Sequence, residues 1–590
     1  MSEPPVSELG SVFAVQKATG THGDVLATVG LADLLSEVPG MRPIHIKEGP
    51  TAFRVELPRE LTTADVRDLP HSAGYAFLKT NENTTVPANV RAIDYKARKE
   101  QADQHRKLRT ALGKQKPDSE TAARLQELQP STDWRLWQVL NTLQGDETSN
   151  RVFEEIVSMP SRRFHEELLA ELIQMGKLHE PTVTWKASTV QLFTPNAAKG
   201  YCRMKPDSTG RNDKTKDQWT DPFLEWLRYR GYFVAACPFF QGSKGENIRL
   251  LCPVPAGITF EALRRATSEV LRTGVYGRSP KLDSLAVLRL AELLIQHSED
   301  FRDPDAEPYD DLYINDKTPA DLVSGVRVTH YQSMGSSKAV SAMSIMALPG
   351  WFRIQSYQDA QDWLAILREH QRIIRGLRDD HSDEIGLLIL YRRFLEHRSE
   401  AAHWRLVEFM EQYGPFLIRA RELKRRVAGF TTISFRRLTE GMASHLMEIL
   451  QNEGFEAVAN AVRRSTVNAQ AQKAMNIRDY REIRYDLLPD LRRTRDVPGD
   501  MFVETISDFV SKYNVENARR REQKKAAPAN VTTEQLLKFM ELIEKHNASV
   551  VGALLCAYGS CREPREPEPQ PEAVDDDLTP GPDGAMESEE

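Results

Sequence analysis

The chain has 590 residues, of which 40% are hydrophobic, and its formal net charge is −7. This length exceeds a single hydrophobic core, so we expect two to four domains. No apolar run approaches the roughly 18 residues that span a bilayer, and the N-terminus lacks the basic start and apolar run of a signal peptide. We therefore predict a soluble, cytoplasmic protein with no membrane partner.

The acidic net charge comes from the C-terminal end of the chain. Residues 563–590 contain eleven acids and one base, which leaves 77 bases and 74 acids in the rest. Within that rest, Arg392–Lys525 has 26 bases and 19 acids. The overall charge therefore does not argue against a nucleic-acid partner. Because residues 563–590 are rich in Pro, Glu and Asp, we predict a disordered acidic tail.

The first region, residues 1–130, is predicted to be α/β with a basic helix or linker. Apolar residues at helical spacing in Gly23–Gly40 predict a short amphipathic helix. Residues 44–58 alternate around a Gly-Pro turn and predict a β-hairpin. Tyr95–Lys116 contains eight bases and two acids, which indicates a polar helix or linker.

The second region, residues 131–302, is predicted to be α/β with a long basic loop. Residues 130–180 have a helical pattern, and residues 221–240 predict a helix leading into a strand. The basic loop between them contains Lys199, Lys205, Arg211, Lys214 and Lys216.

An acidic turn near residue 303 predicts a boundary, and residues 303–400 are predicted to hold a β segment and connecting helices. From about Tyr357 onward nearly every segment is helical in pattern, so residues 401–562 are predicted to form a C-terminal helical bundle. The predicted fold class is α+β: a mixed α/β N-terminal half, an all-α C-terminal bundle and the disordered acidic tail, residues 563–590.

No catalytic motif is found, and we predict no catalytic residues, no metal and no cofactor. Ser333–Lys338 approaches a phosphate loop but lacks the second glycine before the lysine, which favours a β-turn. His381 lies among acids that could bind a divalent metal in a nuclease. Metal ligands usually converge from several elements, whereas these acids lie in one short run. A helix cap is therefore favoured over a metal site. The five cysteines form no CxxC pair, which indicates a reduced compartment and no zinc site.

The most basic stretch is Glu453–Arg493, with seven arginines and one lysine. A helix over Arg478–Arg493 would place Arg478, Arg481, Tyr485 and Arg492 opposite an apolar stripe. Guanidinium groups with an aromatic ring between them suit a phosphate backbone and a stacked base. Alternatively, these arginines pair with the acids interleaved among them. Further basic clusters favour the nucleic-acid interpretation; they lie at residues 419–426, 435–437, 462–464 and 517–525.

Four segments of the C-terminal half, in this order, resemble one known family. They are FEAVANAVRRSTV, YREIRYDLLPDLRR, FVETISDFVSKYNVENARRRE and VVGALLCAYGSCR. This block resembles the large subunit of type I CRISPR Cascade effectors, the family numbered eight among the CRISPR-associated proteins. The matching residues are Arg463, Ser465, Thr466, Ile483, Arg484, Tyr485, Tyr513, Asn514, Glu516, Asn517, Arg519, Ala557, Tyr558, Gly559 and Arg562. Asp486 and Pro489 depart from the family pattern.

The resemblance implies a non-catalytic subunit that binds the guide RNA handle and target DNA and senses the motif flanking the target. It implies further partners: the backbone, handle-binding and small subunits of Cascade, and the helicase-nuclease. The loop with Lys199–Lys216 would probe the flanking duplex. The residues that contact a nucleic-acid strand would be Arg463, Arg464, Arg478, Arg481, Arg484, Tyr485, Arg492, Arg493, Arg519 and Arg520. Two alternatives stay open: a stand-alone metal-dependent nuclease and an arginine-rich protein-interaction scaffold.

Overall fold

The computed structural model describes most of the chain. The described residues are 8–69, 76–87, 90–113, 115–176, 187–188, 190, 192–193, 195, 219–241, 247–272, 279–297, 317–334 and 338–563. Several predictions fall outside them: the basic loop with Lys199, Lys205, Arg211, Lys214 and Lys216, the boundary near residue 303, the turn at 335–337 and the acidic tail from residue 564.

The strands lie in the first 347 residues. They are β1 (Glu8–Gln16), β2 (His45–Glu48), β3 (Ala52–Thr62), β4 (Phe77–Lys79), β5 (Ala92–Asp94), β6 (Ala187–Ser188), β7 (Trp219–Thr220), β8 (Cys237–Gln241), β9 (Asn247–Pro255), β10 (Gly257–Thr259), β11 (Val323–Ser333) and β12 (Lys338–Ala347). Two antiparallel four-stranded sheets have the orders β1-β3-β2-β10 and β12-β11-β9-β8. The predicted hairpin is confirmed as β2–β3, with Ile46 opposite Val55.

Ten helices of the described residues accompany these strands. They are α1 (His22–Leu35), α2 (Thr63–Asp68), α3 (Tyr95–Leu112), α4 (Ser119–Leu128), α5 (Trp134–Val157), α6 (Ser161–Gly176), α7 (Pro222–Ala235), α8 (Phe260–Arg272), α9 (Ser279–Gln296) and α10 (Pro319–Leu322). The predicted helix-to-strand passage is confirmed as α7 followed by β8. Helix α3 begins at Tyr95, as predicted, after Asp94 caps its N-terminus.

Helix α1 was predicted to be amphipathic, and this is wrong. All fourteen of its residues are buried. Helix α7 covers one side of α1, and strands of both sheets contact the rest. The two helices meet at Gly30 and Gly231, where an added Cβ would overlap a backbone carbonyl of the facing helix. These glycines therefore permit the close approach that buries α1 completely.

From Tyr357 the regular structure is helical. The helices are α11 (Tyr357–Gly376), α12 (Ser382–Glu396), α13 (Ser399–Glu422), α14 (Thr432–Ala443), α15 (Met447–Leu450), α16 (Glu453–Ser465), α17 (Val467–Ala474), α18 (Leu487–Arg495), α19 (Met501–Glu522), α20 (Thr533–His546) and α21 (Ala548–Gly559). The predicted α+β fold class is confirmed: sheets belong to the N-terminal half and helices make up the C-terminal half.

The two halves share one hydrophobic core. Helix α9 packs against α11 and α12. The buried carboxylate of Asp283 on α9 pairs with Arg249 of β9, and its Oδ2 lies 3.2 Å from Nη1 of Arg392 on α12. A buried carboxylate between two guanidinium groups therefore ties the sheet to the bundle. No helix of the described residues is long and apolar enough to cross a membrane.

Candidate nucleic-acid interface

The basic stretch Glu453–Arg493 is not continuous helix. Helices α16 and α17 are followed by a non-helical segment, residues 475–486, which we call the 475–486 loop, and α18 begins at Leu487. The predicted helix over Arg478–Arg493 is wrong. Asn476 has a φ of 58°, the left-handed conformation that ends helices, and Pro489 is tolerated only because it lies in the first turn of α18.

Arg463 lies inside the bundle. Its exposed fraction is 2%. The guanidinium lies 5.0 Å from the ring centroid of Tyr558, and Nη2 donates to the Tyr558 carbonyl at 3.2 Å. Nη1 lies 3.5 Å from Glu563. Arg463 was predicted to contact a nucleic-acid strand. Instead its buried guanidinium holds α16 against α21.

Arg481 is buried as well, with an exposed fraction of 6%. Its guanidinium lies 4.4 Å from the ring centroid of Tyr513, donates to Glu516 at 3.0 Å and also donates to Asn517. Burial lowers the pKa of Arg481. The predicted placement opposite the core is wrong, because the loop turns this side chain onto α19.

Arg484 and Arg520 also bind protein groups. The backbone N–H of Arg484 donates to the Ser465 carbonyl at 2.9 Å, and its guanidinium lies 4.0 Å from Glu516. Arg520 donates to the carbonyls of Asp479 and Ala526 at 2.9 and 3.0 Å. Arg484 and Arg520 were predicted to contact a nucleic-acid strand. In the structure they hold the 475–486 loop between α16 and α19.

Several other predicted residues face solvent. Arg478, Arg492 and Arg519 are exposed and have no ion pair with another described residue. Arg493 is exposed and lies 3.1 Å from Asp490 on its own helix, a pair of small energetic value. Arg464 is half-buried and likewise has no ion pair within the described residues.

Tyr485 presents its ring to solvent while its hydroxyl is held. The hydroxyl donates to Glu422 at 3.1 Å, and Lys473 pairs with the same carboxylate. The hydrogen bond from Lys473 holds the pKa of Glu422 below its usual range. The Tyr485 ring is thereby oriented, which suits stacking against a base. Tyr480, which sequence reasoning did not single out, is exposed on the same loop.

A groove of about 840 Å³ lies between α12, α13 and α18. We call it the α12–α18 groove. Its exposed cations are Arg419, Arg492 and Arg493. Its acids include Glu411, which pairs with Arg495. The sequence pattern showed the basic cluster containing Arg419 but not its proximity to Arg492, which depends on packing between α13 and α18.

The acidic run around His381 forms a helix start. His381 is the N-cap residue of α12. Burial alone would raise the pKa of Glu384, but hydrogen bonds from Arg425 and Arg378 lower it to about 2. Among the described residues, no group of three or more His, Cys, Asp or Glu side chains is placed to hold a metal ion.

The four segments singled out in the sequence meet in space. Arg463 of the first contacts Tyr558 of the last. The second contacts the first through Arg484 and Ser465, and Arg481 binds the third. Together they define a helical bundle with a fixed loop on its surface that carries three arginines and three acids. No protein-family model matches the chain, and a search of curated proteins finds no significant match.

Proposed function

We propose that the protein is a non-catalytic, nucleic-acid-binding large subunit of a type I CRISPR Cascade effector complex. The observation that supports this most is the exposure of Arg478, Arg492 and Arg519 without ion-pair partners in the described residues, on or beside the four resembling segments. Unpaired guanidinium groups on one bundle suit successive phosphates of a strand.

The bundle contains both buried and exposed arginines. Arg463 and Arg481 are structural, because burying a guanidinium among protein acceptors removes it from any ligand. Arg478, Arg492 and Arg519 contact phosphates, with Arg464 and Arg493 beside them. The rings of Tyr480 and Tyr485 stack on bases, an interaction tolerant of sequence. This agrees with an effector in which base pairing to the guide reads the target and the protein holds backbones.

The partners follow from the resemblance: guide RNA, target DNA, the other Cascade subunits and the helicase-nuclease. Copurification tests whether the protein binds these partners. The full-length protein with an N-terminal tag is isolated from its host, and the associated RNA is sequenced. Short RNAs of uniform length sharing one repeat-derived end, with smaller proteins in fixed ratio, are expected. Isolation of the protein alone and free of RNA would contradict the Cascade assignment.

Salt-dependent binding tests the nucleic-acid surface itself. Affinity for a labelled single strand is measured from about 50 to 200 mM salt, where counterion release dominates. Replacing Arg478, Arg492 and Arg519 together by Gln is expected to flatten the slope of log affinity against log salt by about 2, or roughly 0.7 per lost contact.

A charge-matched control is a triple Gln variant of Arg124, Arg162 and Arg163. These arginines are exposed on α4 and α6 and pair with neighbouring acids. The control is expected to keep the parent slope. Equal losses in both variants would show a non-specific charge effect. No binding by the parent protein even at low salt would favour the protein-interaction scaffold, in which arginines such as Arg437 serve carboxylates alone.

A further inference from the structure

We infer that the acidic tail, residues 564–590, docks onto its own bundle, along a groove at its exit point and over the adjoining 475–486 loop. The tail contains ten acids and one base.

The exit point of the tail is fixed. The N–H of Arg562 donates to the Phe430 carbonyl at 2.7 Å, and the Arg562 carbonyl accepts from Thr432 at 3.0 Å. The Arg562 guanidinium donates to the Gly429 carbonyl at 3.1 Å. Glu563 then lies beside Arg463. The tail therefore starts from one defined place on the bundle.

That place is the edge of a second groove, of about 510 Å³, which we call the tail groove. Its charged lining residues are Arg372, Arg421, Arg562 and Glu563. Helix α17 forms one wall through Asn468 and Gln472. Arg421 and Arg562 donate to backbone carbonyls of the bundle, so the groove presents the exposed guanidinium of Arg372 and amide side chains to a strongly acidic chain that begins at its edge.

The tail groove leads to an exposed apolar patch. At the far end of α17 stands Met475, which also begins the 475–486 loop. Four of the fifteen exposed large apolar or tyrosine side chains of the described residues lie within this loop: Met475, Ile477, Tyr480 and Tyr485. Leu423, 74% exposed, follows directly after Glu422, the carboxylate that binds Tyr485. We call these five residues the loop patch.

Exposed cations adjoin the loop patch. Lys424 and Arg426 follow Leu423, and Arg478 lies within the loop. The loop also exposes Asp479, Glu482 and Asp486, so an acidic segment with apolar side chains is favoured by the cations beside Leu423 and by the apolar side chains of the patch. The tail contains one such segment, Val574–Leu578, in which three consecutive aspartates are flanked by valine and leucine.

The connecting residues are long enough. Asp575 is twelve positions after Glu563, and a Pro-rich chain extends about 3.1 Å per position, or roughly 37 Å. Helix α17 has eight residues and a length of about 12 Å. The aspartates therefore reach beyond the tail groove to the loop patch. Because both belong to one chain, the tail acts at an effective concentration in the range of mM.

The consequence rests on the proposed function. A docked tail covers Arg478 and the two tyrosines that the proposal assigns to a strand. A polyanionic ligand then has to displace the tail, so the free protein binds non-cognate strands weakly. The docking itself does not depend on nucleic acid, and the two are measured separately.

Docking is tested by zero-length carbodiimide crosslinking of the full-length protein alone, with mass spectrometry. Crosslinks from Asp575–Asp577 to Lys424, Lys473 or Lys524 are expected, and they disappear at about 500 mM salt, where charges are screened. The Lys473–Glu422 pair supplies an internal positive control. Ile477→Ser is expected to reduce the tail crosslinks, whereas Leu537→Ser, at an exposed position on α20, is not.

Two results would overturn docking. One is the absence of tail crosslinks while Lys473–Glu422 is coupled. The other is that, in an equal mixture of isotopically labelled and unlabelled protein, about half of the tail crosslinks join a labelled to an unlabelled peptide, because the occupant would then be a second copy.

Competition is tested on the full chain with Asp575, Asp576 and Asp577 replaced by Asn. Affinity for a single strand is expected to rise about three- to tenfold at 50 mM salt and to stay unchanged at 500 mM. Replacing Glu587, Glu589 and Glu590 by Gln removes the same charge outside the apolar segment and is the control. If the parent protein shows the tail crosslinks but the Asn variant binds the single strand no more tightly, the tail does not compete with nucleic acid. Crosslinks in a protein that binds no strand would overturn the proposed function and leave docking standing.

Discussion

Arg481 and Arg519 have the same side chain and are both associated with α19, yet their surroundings differ. Arg519 points into solvent from the helix, whereas Arg481 reaches the same helix from the 475–486 loop and is buried against Tyr513. Arg481→Met would remove the donor to the Asn517 side-chain oxygen and the nearest cation of Glu516. We expect it to lower the free energy of unfolding by about 2–4 kcal/mol. Arg519→Met, the matched control, is expected to stay within about 0.5 kcal/mol. Urea denaturation followed by circular dichroism compares the two, and equal shifts would contradict a structural role for Arg481.

Residue type alone could not separate these arginines. The partners of Arg463 and Arg481 lie 95 and 36 positions away in the chain, at Tyr558 and Asn517. Helical periodicity considers only neighbours within one or two turns. The exposure of Arg478 and Arg492 agreed with the predicted face, although the helix assumed for Arg478 does not exist. The sequence therefore predicted which segment contains the arginines, but not which of these arginines are buried and which are exposed.

At the scale of elements, local signals predicted most boundaries. Ser356 caps the N-terminus of α11, and helix begins at Tyr357, where the helical pattern starts. The β2–β3 turn follows from Gly49 and Pro50. The 475–486 loop was missed because Ile483, Leu487 and Leu491 recur at helical spacing, whereas the structure of the loop depends on hydrogen bonds to α16 and α19. The burial of α1 was missed because it requires a second helix, α7, far along the chain.

The α1–α7 crossing gives a prediction at this scale. Gly231→Ala would force the new methyl group against the Leu26 carbonyl of α1. Because that obstacle is backbone, we expect a loss of about 3 kcal/mol or more in the free energy of unfolding. Gly386→Ala, on the exposed face of α12 with nothing within 4 Å of the added Cβ, is the control. It is expected to gain roughly 0.5–1 kcal/mol from lower backbone entropy. Thermal melts measure both; a Gly231→Ala protein as stable as the parent would show that the helices separate at little cost.

At the scale of the whole molecule, buried histidines connect stability to pH in both halves. Burial lowers the pKa of His22 to about 4, of His370 to about 3 and of His403 to about 4. His370 is surrounded by aromatic rings, among them Trp351 and Phe430, and its Nδ1 lies 2.8 Å from the Tyr391 hydroxyl. In the unfolded chain a histidine titrates near 6.5. Below that pH the unfolded state binds protons that the folded state excludes, so stability is full above about 6.5 and falls as the pH drops.

The prediction is that the urea midpoint of the parent protein falls between pH 7 and pH 5, and that His370→Gln falls less steeply. An excluded proton approaches about 1.4 kcal/mol of unfolding free energy per pH unit only well below pH 6.5, so between pH 7 and pH 5 removing one histidine should reduce the fall in that free energy by about 2 kcal/mol, or about 1 kcal/mol per pH unit. The slope, and not the midpoint at one pH, is compared, because glutamine also changes packing against Tyr391. His381→Gln, at an exposed helix cap, is the control for exchanging a histidine for glutamine at the surface. An unchanged slope in His370→Gln would mean that the folded protein admits a proton at this position, against the burial of its ring among aromatic side chains.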